Sequence, residues 1–146
     1  MIERVAVFGA GGMLGRAMVE ELRLRGLAVL AFPRRLCDIA LEADVTHAFE
    51  TGIEFEGAIN CAGARPGAQA VEMARVNAVG PHVLAAAAQA HGLTHLVHVS
   101  TDCVFNGQRW SERQPMRYSV RDQVTPADLY GRTKAAGELV GTPGTT

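Results

Sequence analysis

Residues 2–15 read IERVAVFGAGGMLG and join a short apolar run to a glycine-rich turn. The run from Ile2 to Phe8 is almost continuously apolar, which is typical of a strand buried on both faces of a sheet. Gly9, Gly12 and Gly15 would allow a sharp turn, a close approach of backbone N–H groups to a pyrophosphate, and tight packing of helix on strand. The segment predicts a strand–turn–helix unit that binds a dinucleotide. The alternative is a tight turn without a ligand.

The same alternation of strands and helices continues along the chain. Three further β-rich runs cover residues 27–32, 57–61 and 93–100. Three stripes of apolar residues at helical spacing cover residues 14–25, 41–50 and 70–91. Gly26 and Gly92 are expected to end the first and the third of these helices. This order predicts an α/β fold, a Rossmann-like doubly wound parallel sheet with helices on both faces, whose ligands bind at the carboxyl ends of the strands.

Length, charge and cysteine usage restrict the class of protein. The 146 residues are enough for one domain, and 48% hydrophobic residues fit a globular chain. A net charge of −1 gives no electrostatic reason to expect nucleic acid or an anionic membrane as a partner. No run approaches the roughly 20 apolar residues of a membrane span, and because the apolar run starts at Ile2, no signal peptide is expected. Three scattered cysteines predict a reducing, cytoplasmic setting.

The second strand ends in Phe32-Pro33-Arg34-Arg35, where this fold places the residue that contacts the adenosine ribose. An acid there holds a 2′-hydroxyl, whereas arginine accommodates a 2′-phosphate. Arg34 and Arg35 therefore favour NADP(H), with NAD(H) as the alternative, unless both are solvated surface residues. Asp38 and Ile39 are expected to border the adenine; alternatively, Asp38 caps the following helix.

The segment Tyr130-Gly-Arg-Thr-Lys134 places a tyrosine and a lysine on one face of a helix. Thr125-Pro-Ala-Asp128 predicts the start of that helix, which is expected to reach about Val140. Tyr130 is interpreted as the general acid that protonates a carbonyl oxygen while hydride reaches the carbon. The Lys134 ammonium favours the phenolate and is suited to hold the nicotinamide ribose. An ordinary exposed helix face is the alternative.

Two other strand ends carry candidate groups. Ser100-Thr101 supplies a hydroxyl at the end of the fourth strand, where it would fix the substrate carbonyl. Small residues in Asn60-Cys61-Ala62-Gly63 would let a cofactor lie close to the backbone. Asn77 is a poor helix former within a long helix and either joins the site or faces solvent. No metal site is expected, because His95 and His98 lie three apart on a strand and face opposite sides.

The chain resembles the extended short-chain dehydrogenase/reductases and, within them, the dTDP-4-dehydrorhamnose reductases. The matching segments occur in family order: residues 9–15, Cys37-Asp-Ile39, Ile59–Gly63, Val76-Asn-Ala-Val-Gly80, Val97–Asp102 with Val104-Phe105, and Asp128–Lys134 with Gly137-Glu138. The resemblance implies a catalytic triad of Thr101, Tyr130 and Lys134, with Ser100 as the alternative hydroxyl. It also implies NADPH- or NADH-dependent reduction of a 4-keto nucleotide-activated deoxysugar.

The resemblance also predicts which residues contact the cofactor and how far the chain extends. The expected cofactor residues are Gly9, Gly12, Met13, Leu14, Gly15, Arg34, Arg35, Asp38, Ile39, Cys61, Ala62, Gly63, Tyr130 and Lys134. Residues 1–146 are expected to form an apparently truncated NAD(P)-binding domain that lacks the C-terminal substrate domain. Alone, it should bind cofactor weakly and turn over poorly. A homodimer is compatible with the sequence. The rival functions are an NAD-dependent nucleotide-sugar epimerase or dehydratase and a non-catalytic NADP(H)-binding regulatory protein.

Overall fold

In the part of the chain that the structure describes, a parallel sheet of four strands forms the centre of the fold. The computed structural model describes residues 2–108 and 117–138. The strands are β1 (Arg4–Phe8), β2 (Ala28–Phe32), β3 (Gly57–Asn60) and β4 (His95–His98), in the spatial order β2-β1-β3-β4. Val5 of the central β1 pairs with Val29 on one side and Gly57 on the other. The predicted parallel sheet is therefore confirmed.

The fourth strand is shorter than the sequence predicted. The β-rich run covers residues 93–100, whereas β4 contains only His95–His98. The Leu93 N–H donates to the carbonyl oxygen of Ala88 at 2.8 Å, which draws this residue into the end of the preceding helix. At the other end, the Val99 N–H still donates to the Asn60 oxygen, but the chain then leaves the sheet.

Within residues 2–108 and 117–138, five α-helices accompany the sheet. They are α1 (Met13–Leu24), α2 (Glu42–Phe49), α3 (Ala70–Met73), α4 (Gly80–Ala90) and α5 (Leu129–Glu138). The predicted helix over 70–91 contains α3, a π-helical segment (Ala74–Val79) and α4 in succession. Gly26 and Gly92 follow α1 and α4 with φ angles of 82° and 69°, so the predicted glycine ends are confirmed.

Helices cover both faces of the sheet, as predicted. Because strand side chains alternate, Ala6 and Phe8 point to one face and Val7 points to the other. The first face packs against Val45 of α2 and Leu84 of α4, whereas Val7 packs with Val19 of α1. Burial of each such large apolar side chain stabilises the fold by about 1.5–3 kcal/mol. This packing fixes the strand ends from which the site is built.

The starts of two helices differ from their predictions. α5 begins at Leu129, and Asp128 caps it, because the Asp128 Oδ1 accepts from the Gly131 N–H at 2.7 Å. Thr125 was predicted as the cap, but it precedes Pro126, and an extended backbone is favoured at that position. The Thr125 N–H donates to the carbonyl oxygen of Val104. Asp38 does not cap α2, whose N-cap is Leu41. The predicted end of the last helix near Val140 lies outside the described residues.

Within the described residues, no helix has both the length and the apolar character needed to cross a membrane.

Candidate active site

The glycine turn after β1 is held against β2 and β3. Gly9 has a φ of 74°, and its N–H donates to the Phe32 oxygen of β2 at 2.9 Å. A Cβ at Gly9 would lie 2.5 Å from the Ala62 nitrogen after β3. A Cβ at Gly15 would collide with the carbonyl oxygen of Gly9. The turn therefore brings the start of α1, whose N-cap is Gly12, close to the carboxyl ends of the strands.

A groove of about 350 Å³ opens beside this turn. Eight predicted cofactor residues line it: Gly9, Gly12, Arg34, Asp38, Ile39, Cys61, Ala62 and Gly63. Seven lining residues were not predicted: Gly11, Cys37, Ala64, Arg65, Ala68, Glu72 and Val76. The groove passes between the glycine turn and the loop after β3, and it reaches the residues that follow β2. Its backbone-lined wall suits an extended dinucleotide, because an N-terminal helix turn attracts a pyrophosphate.

The other predicted cofactor residues lie outside the lining of this groove. Met13, 86% exposed, and Leu14, 43% exposed, form the first two positions of α1. Gly15 is buried and serves the contact between α1 and β1. Arg35 is exposed at the surface. Tyr130 and Lys134 belong to α5, beyond the end of β4.

Four charged side chains at one end of the groove form what we call the charge cluster: Arg34, Asp38, Glu72 and Arg75. Arg34 contacts Glu72 at 2.8 Å and Asp38 at 3.5 Å. Arg75 contacts Asp38 at 2.9 Å and Glu72 at 3.1 Å. The hydrogen bond from Arg75 holds the pKa of the Asp38 carboxyl below its usual range. The two acids and two cations thus neutralise one another.

Helix α5 brings Lys134 to the end of β4. The side chain is buried, with 4% exposed, and its Nζ donates to the Val99 carbonyl oxygen at 2.6 Å. Burial lowers the pKa of Lys134, and the Glu138 carboxylate partly opposes that shift. Two glycines make this close packing possible, since a Cβ at Gly131 or Gly137 would collide with a backbone oxygen of a neighbouring segment. Tyr130 is half-buried in the first turn of α5.

The two candidate hydroxyl groups follow β4 and make different contacts. Thr101 caps a 3₁₀ helix (Asp102–Val104), where its oxygen accepts from the Cys103 N–H at 3.2 Å. It also donates to the Asp102 carboxylate at 3.3 Å. The Ser100 hydroxyl donates to the Glu138 carboxylate of α5. Both groups therefore lie at the carboxyl edge of the sheet, and Thr101 remains the predicted catalytic hydroxyl.

Asn77 joins the groove to α5. Its side chain is fully buried within the π-helical segment. Its Oδ1 accepts from the Ala64 N–H at 2.7 Å, and its Nδ2 donates to the Ala64 oxygen at 3.0 Å and to the Thr133 hydroxyl at 3.2 Å. The solvent-facing alternative for Asn77 is thus wrong, and the residue belongs to a buried network beside the site. π-helical turns are frequent at functional sites.

We expect Asn77→Ala to lower the free energy of unfolding by about 3 kcal/mol, because it removes a fully buried side chain and both of its hydrogen bonds to the half-buried backbone of Ala64. The Ala64 amide should also exchange its hydrogen faster. Urea unfolding and hydrogen exchange measure the two effects. Thr133→Val is the matched control, because it removes a partner of Asn77 but leaves both bonds to Ala64. Equal protection of the Ala64 amide in Asn77→Ala and the parent chain would contradict this prediction.

Asn60, the last residue of β3, contacts His98, the last residue of β4. The Asn60 Oδ1 accepts from the Ala62 N–H at 3.0 Å, and its Nδ2 lies 3.1 Å from the His98 Nδ1. Burial, with the positive charge of Lys134, lowers the pKa of His98 to about 4. The imidazole is therefore neutral near pH 7. Its Nε2 has no hydrogen-bond partner among the residues that the structure describes.

The cysteines and histidines show no arrangement typical of redox or metal chemistry. Burial raises the pKa of the Cys37 thiol to about 12 and also raises that of Cys61. Both cysteines are thus held as thiols, in agreement with a packing role. Across residues 2–108 and 117–138, no three His, Cys, Asp or Glu side chains are grouped so that they could hold a metal ion.

The sheet order, the glycine turn and the groove at the strand ends define an α/β protein of the Rossmann type. Residues 3–141 match the family model described as the RmlD substrate binding domain, and the chain belongs to this family. The predicted resemblance is therefore confirmed.

Curated relatives with reductase names match nearly the whole chain. It is 37% identical over 142 residues to the dTDP-4-dehydrorhamnose reductase of Mycolicibacterium smegmatis, covering 94% of this chain and 41% of that protein. It is 40% identical over 146 residues to the dTDP-4-keto-6-deoxy-D-glucose reductase of Streptomyces niveus, covering 94% and 47%. The chain thus spans less than half the length of these two relatives.

A solved structure extends the similarity to the fold. The dTDP-4-dehydrorhamnose reductase of Bacillus anthracis, in complex with NADP, superposes with a TM-score of 0.84 at 31% identity. The match covers 96% of this chain and 49% of that one.

Proposed function

We propose that the chain is the dinucleotide-binding part of a reductase that acts on a dTDP-linked 4-keto-6-deoxy sugar. One observation carries the proposal: the glycine-lined groove and the buried Lys134 lie at the same carboxyl edge of the sheet. In a doubly wound fold, that edge is where ligands bind. The names of the relatives supply the substrate class, and the NADP complex of the similar structure supplies the cofactor class.

The groove offers a position for each part of NADP(H). Backbone groups at Gly11 and Gly12 would face the pyrophosphate at the start of α1. Asp38 and Ile39 would border the adenine, and Arg34 would face the 2′-phosphate. The small residues after β3 leave the backbone open toward the nicotinamide half. When bound, the cofactor would supply the hydride.

Tyr130, Thr101 and Lys134 would then act on the substrate carbonyl. As the carbonyl carbon accepts hydride, its oxygen takes the proton of the Tyr130 hydroxyl and becomes an alcohol. The Thr101 hydroxyl would hold that oxygen in place. The Lys134 ammonium has three N–H groups, of which one already binds the Val99 oxygen. The others are available for the nicotinamide ribose, and the positive charge stabilises the phenolate until Tyr130 regains a proton from solvent.

The proposal extends to the organisation of the protein. Residues 1–146 would form one NAD(P)-binding domain. The relatives are longer, and their additional residues, outside the part that matches this chain, would supply further contacts to the sugar nucleotide. Assayed by itself, the 146-residue chain should bind cofactor weakly and turn over slowly. The proposed biosynthetic role fits a cytoplasmic enzyme. It is also compatible with a homodimer.

Titration of the chain with NADPH and NADH, followed by fluorescence or calorimetry, tests the cofactor site. We expect a Kd for NADPH on the order of 0.1–1 mM, and binding of NADH about threefold weaker. ATP is the control ligand, because it carries a similar charge without the second nucleoside. Binding of ATP as tight as that of NADPH, or no binding of either dinucleotide, would contradict the proposal.

A further inference from the structure

Arg34, at the proposed adenosine end of the groove, is paired with two acids, Glu72 and Asp38. Its Nη1 lies 2.8 Å from the Glu72 Oε1, and its Nη2 lies 3.5 Å from the Asp38 Oδ2. Arginine recognises a phosphate best when its planar fork makes two parallel hydrogen bonds. Here, both terminal nitrogens of the fork face carboxylates. A 2′-phosphate would therefore have to displace an acid before Arg34 could bind it in that way.

The two acids differ in how firmly they hold Arg34. Asp38 has a closer partner in Arg75, at 2.9 Å, and it also accepts from the Ala40 N–H. Glu72 makes the shorter contact to Arg34, and its side chain is 27% exposed in the wall of the groove. Arg34 itself is 66% exposed, and its contact to Glu72 is shorter than its contact to Asp38, so Glu72 is the acid that restrains this side chain more closely. Removal of Glu72 would leave Asp38 with Arg75.

We propose that Glu72 is a specificity-determining residue, whose carboxylate holds Arg34 and limits the preference of the groove for NADPH over NADH. This inference rests on the proposed dinucleotide site. A 2′-phosphate is repelled by the Glu72 carboxylate and must compete with it for Arg34. A 2′-hydroxyl meets no such cost, since an acid at this place accepts its hydrogen bond. Glu72, contributed by α3, thus places a second acid beside Arg34, in addition to Asp38 from the loop after β2.

The test compares both cofactors on the same preparations of the parent chain and of Glu72→Gln. We expect the ratio of the NADH Kd to the NADPH Kd to rise about fivefold in Glu72→Gln, because one negative charge is removed and the neutral amide holds Arg34 less strongly than the carboxylate does. Glu21→Gln is the matched control, because it also removes a carboxylate that is paired with an arginine, Arg25. Glu21 lies on α1 and is not among the residues that line the groove. This control should leave the ratio unchanged.

A double variant separates the role of Arg34 from a general effect of charge. In an Arg34→Gln background, Glu72→Gln should no longer raise the ratio. A ratio within twofold of the parent in Glu72→Gln, or an equal rise without Arg34, would overturn the role of Glu72 while the dinucleotide site stands. Failure of the parent chain to bind either cofactor at concentrations up to about 5 mM would overturn both proposals.

Discussion

Tyr130→Phe should reduce the rate of reduction of a dTDP-4-keto-6-deoxy sugar about a thousandfold, since general acid catalysis contributes roughly 10²- to 10⁴-fold. Phenylalanine keeps the half-buried ring in the first turn of α5 and removes only the hydroxyl. Because Tyr130 is outside the residues that line the groove, the Kd for NADPH should stay within about twofold. Oxidation of NADPH under single-turnover conditions, at high protein concentration, measures the rate even when turnover is slow.

Tyr118→Phe provides the matched control for this experiment. Tyr118 is the other of the two tyrosines; its hydroxyl donates to the Asn106 Oδ1 at 3.0 Å, and its ring stacks on Phe105. Loss of this hydroxyl should leave the rate within about threefold of the parent. An unchanged rate in Tyr130→Phe would remove Tyr130 from the mechanism. A function retained in full by Tyr130→Phe would favour the rival function, a regulatory protein that binds NADP(H).

Local patterns in the sequence were sufficient to predict the sheet and about half of the residues that line the groove. Residues 2–15 carry both the apolar run of β1 and the glycines of the turn, so strand, turn and helix follow from neighbours along the chain. The alternation of strands and helices along the chain then implies a parallel sheet, and parallel strands bring their carboxyl ends to the same edge of that sheet. Arg34, Asp38 and Ile39 after β2 and residues 61–63 after β3 were predicted for that reason, whereas the lining residues Cys37, Ala64, Arg65 and Ala68 were not.

Contacts between segments that are distant in sequence could not be predicted from these local patterns. Glu72 meets Arg34 only because the fold carries α3 beside the loop after β2, and no spacing within either segment indicates that contact. The π-helical segment likewise places Asn77 between Ala64 and Thr133, whereas the sequence alone left Asn77 undecided between the site and solvent. The start of α5 was misplaced because Thr125 and Asp128 both resemble helix caps, and only the bond to the Gly131 N–H distinguishes them.

Gly9→Ala should lower the free energy of unfolding by about 3 to 5 kcal/mol and abolish dinucleotide binding. Two costs combine: about 1–2 kcal/mol for a side chain at a φ of 74°, and the remainder for a Cβ only 2.5 Å from the Ala62 nitrogen. Relief of the collision requires the loop after β3 to move away from the turn, which would widen the groove where the pyrophosphate is proposed to bind. Urea unfolding and the NADPH titration measure the two effects.

Gly26→Ala separates these two costs, because Gly26 has a φ of 82° but a Cβ at this position would meet nothing within 4 Å. Its backbone strain should match that at Gly9, partly offset by the smaller conformational entropy of the unfolded alanine chain, for a net loss of about 1 kcal/mol. Gly26 also lies at the far end of α1, so dinucleotide binding should persist. Equal losses of stability in the two variants would mean that the contact between the glycine turn and the loop after β3 contributes nothing. A larger loss at Gly9, together with loss of NADPH binding there alone, would assign the difference to that contact.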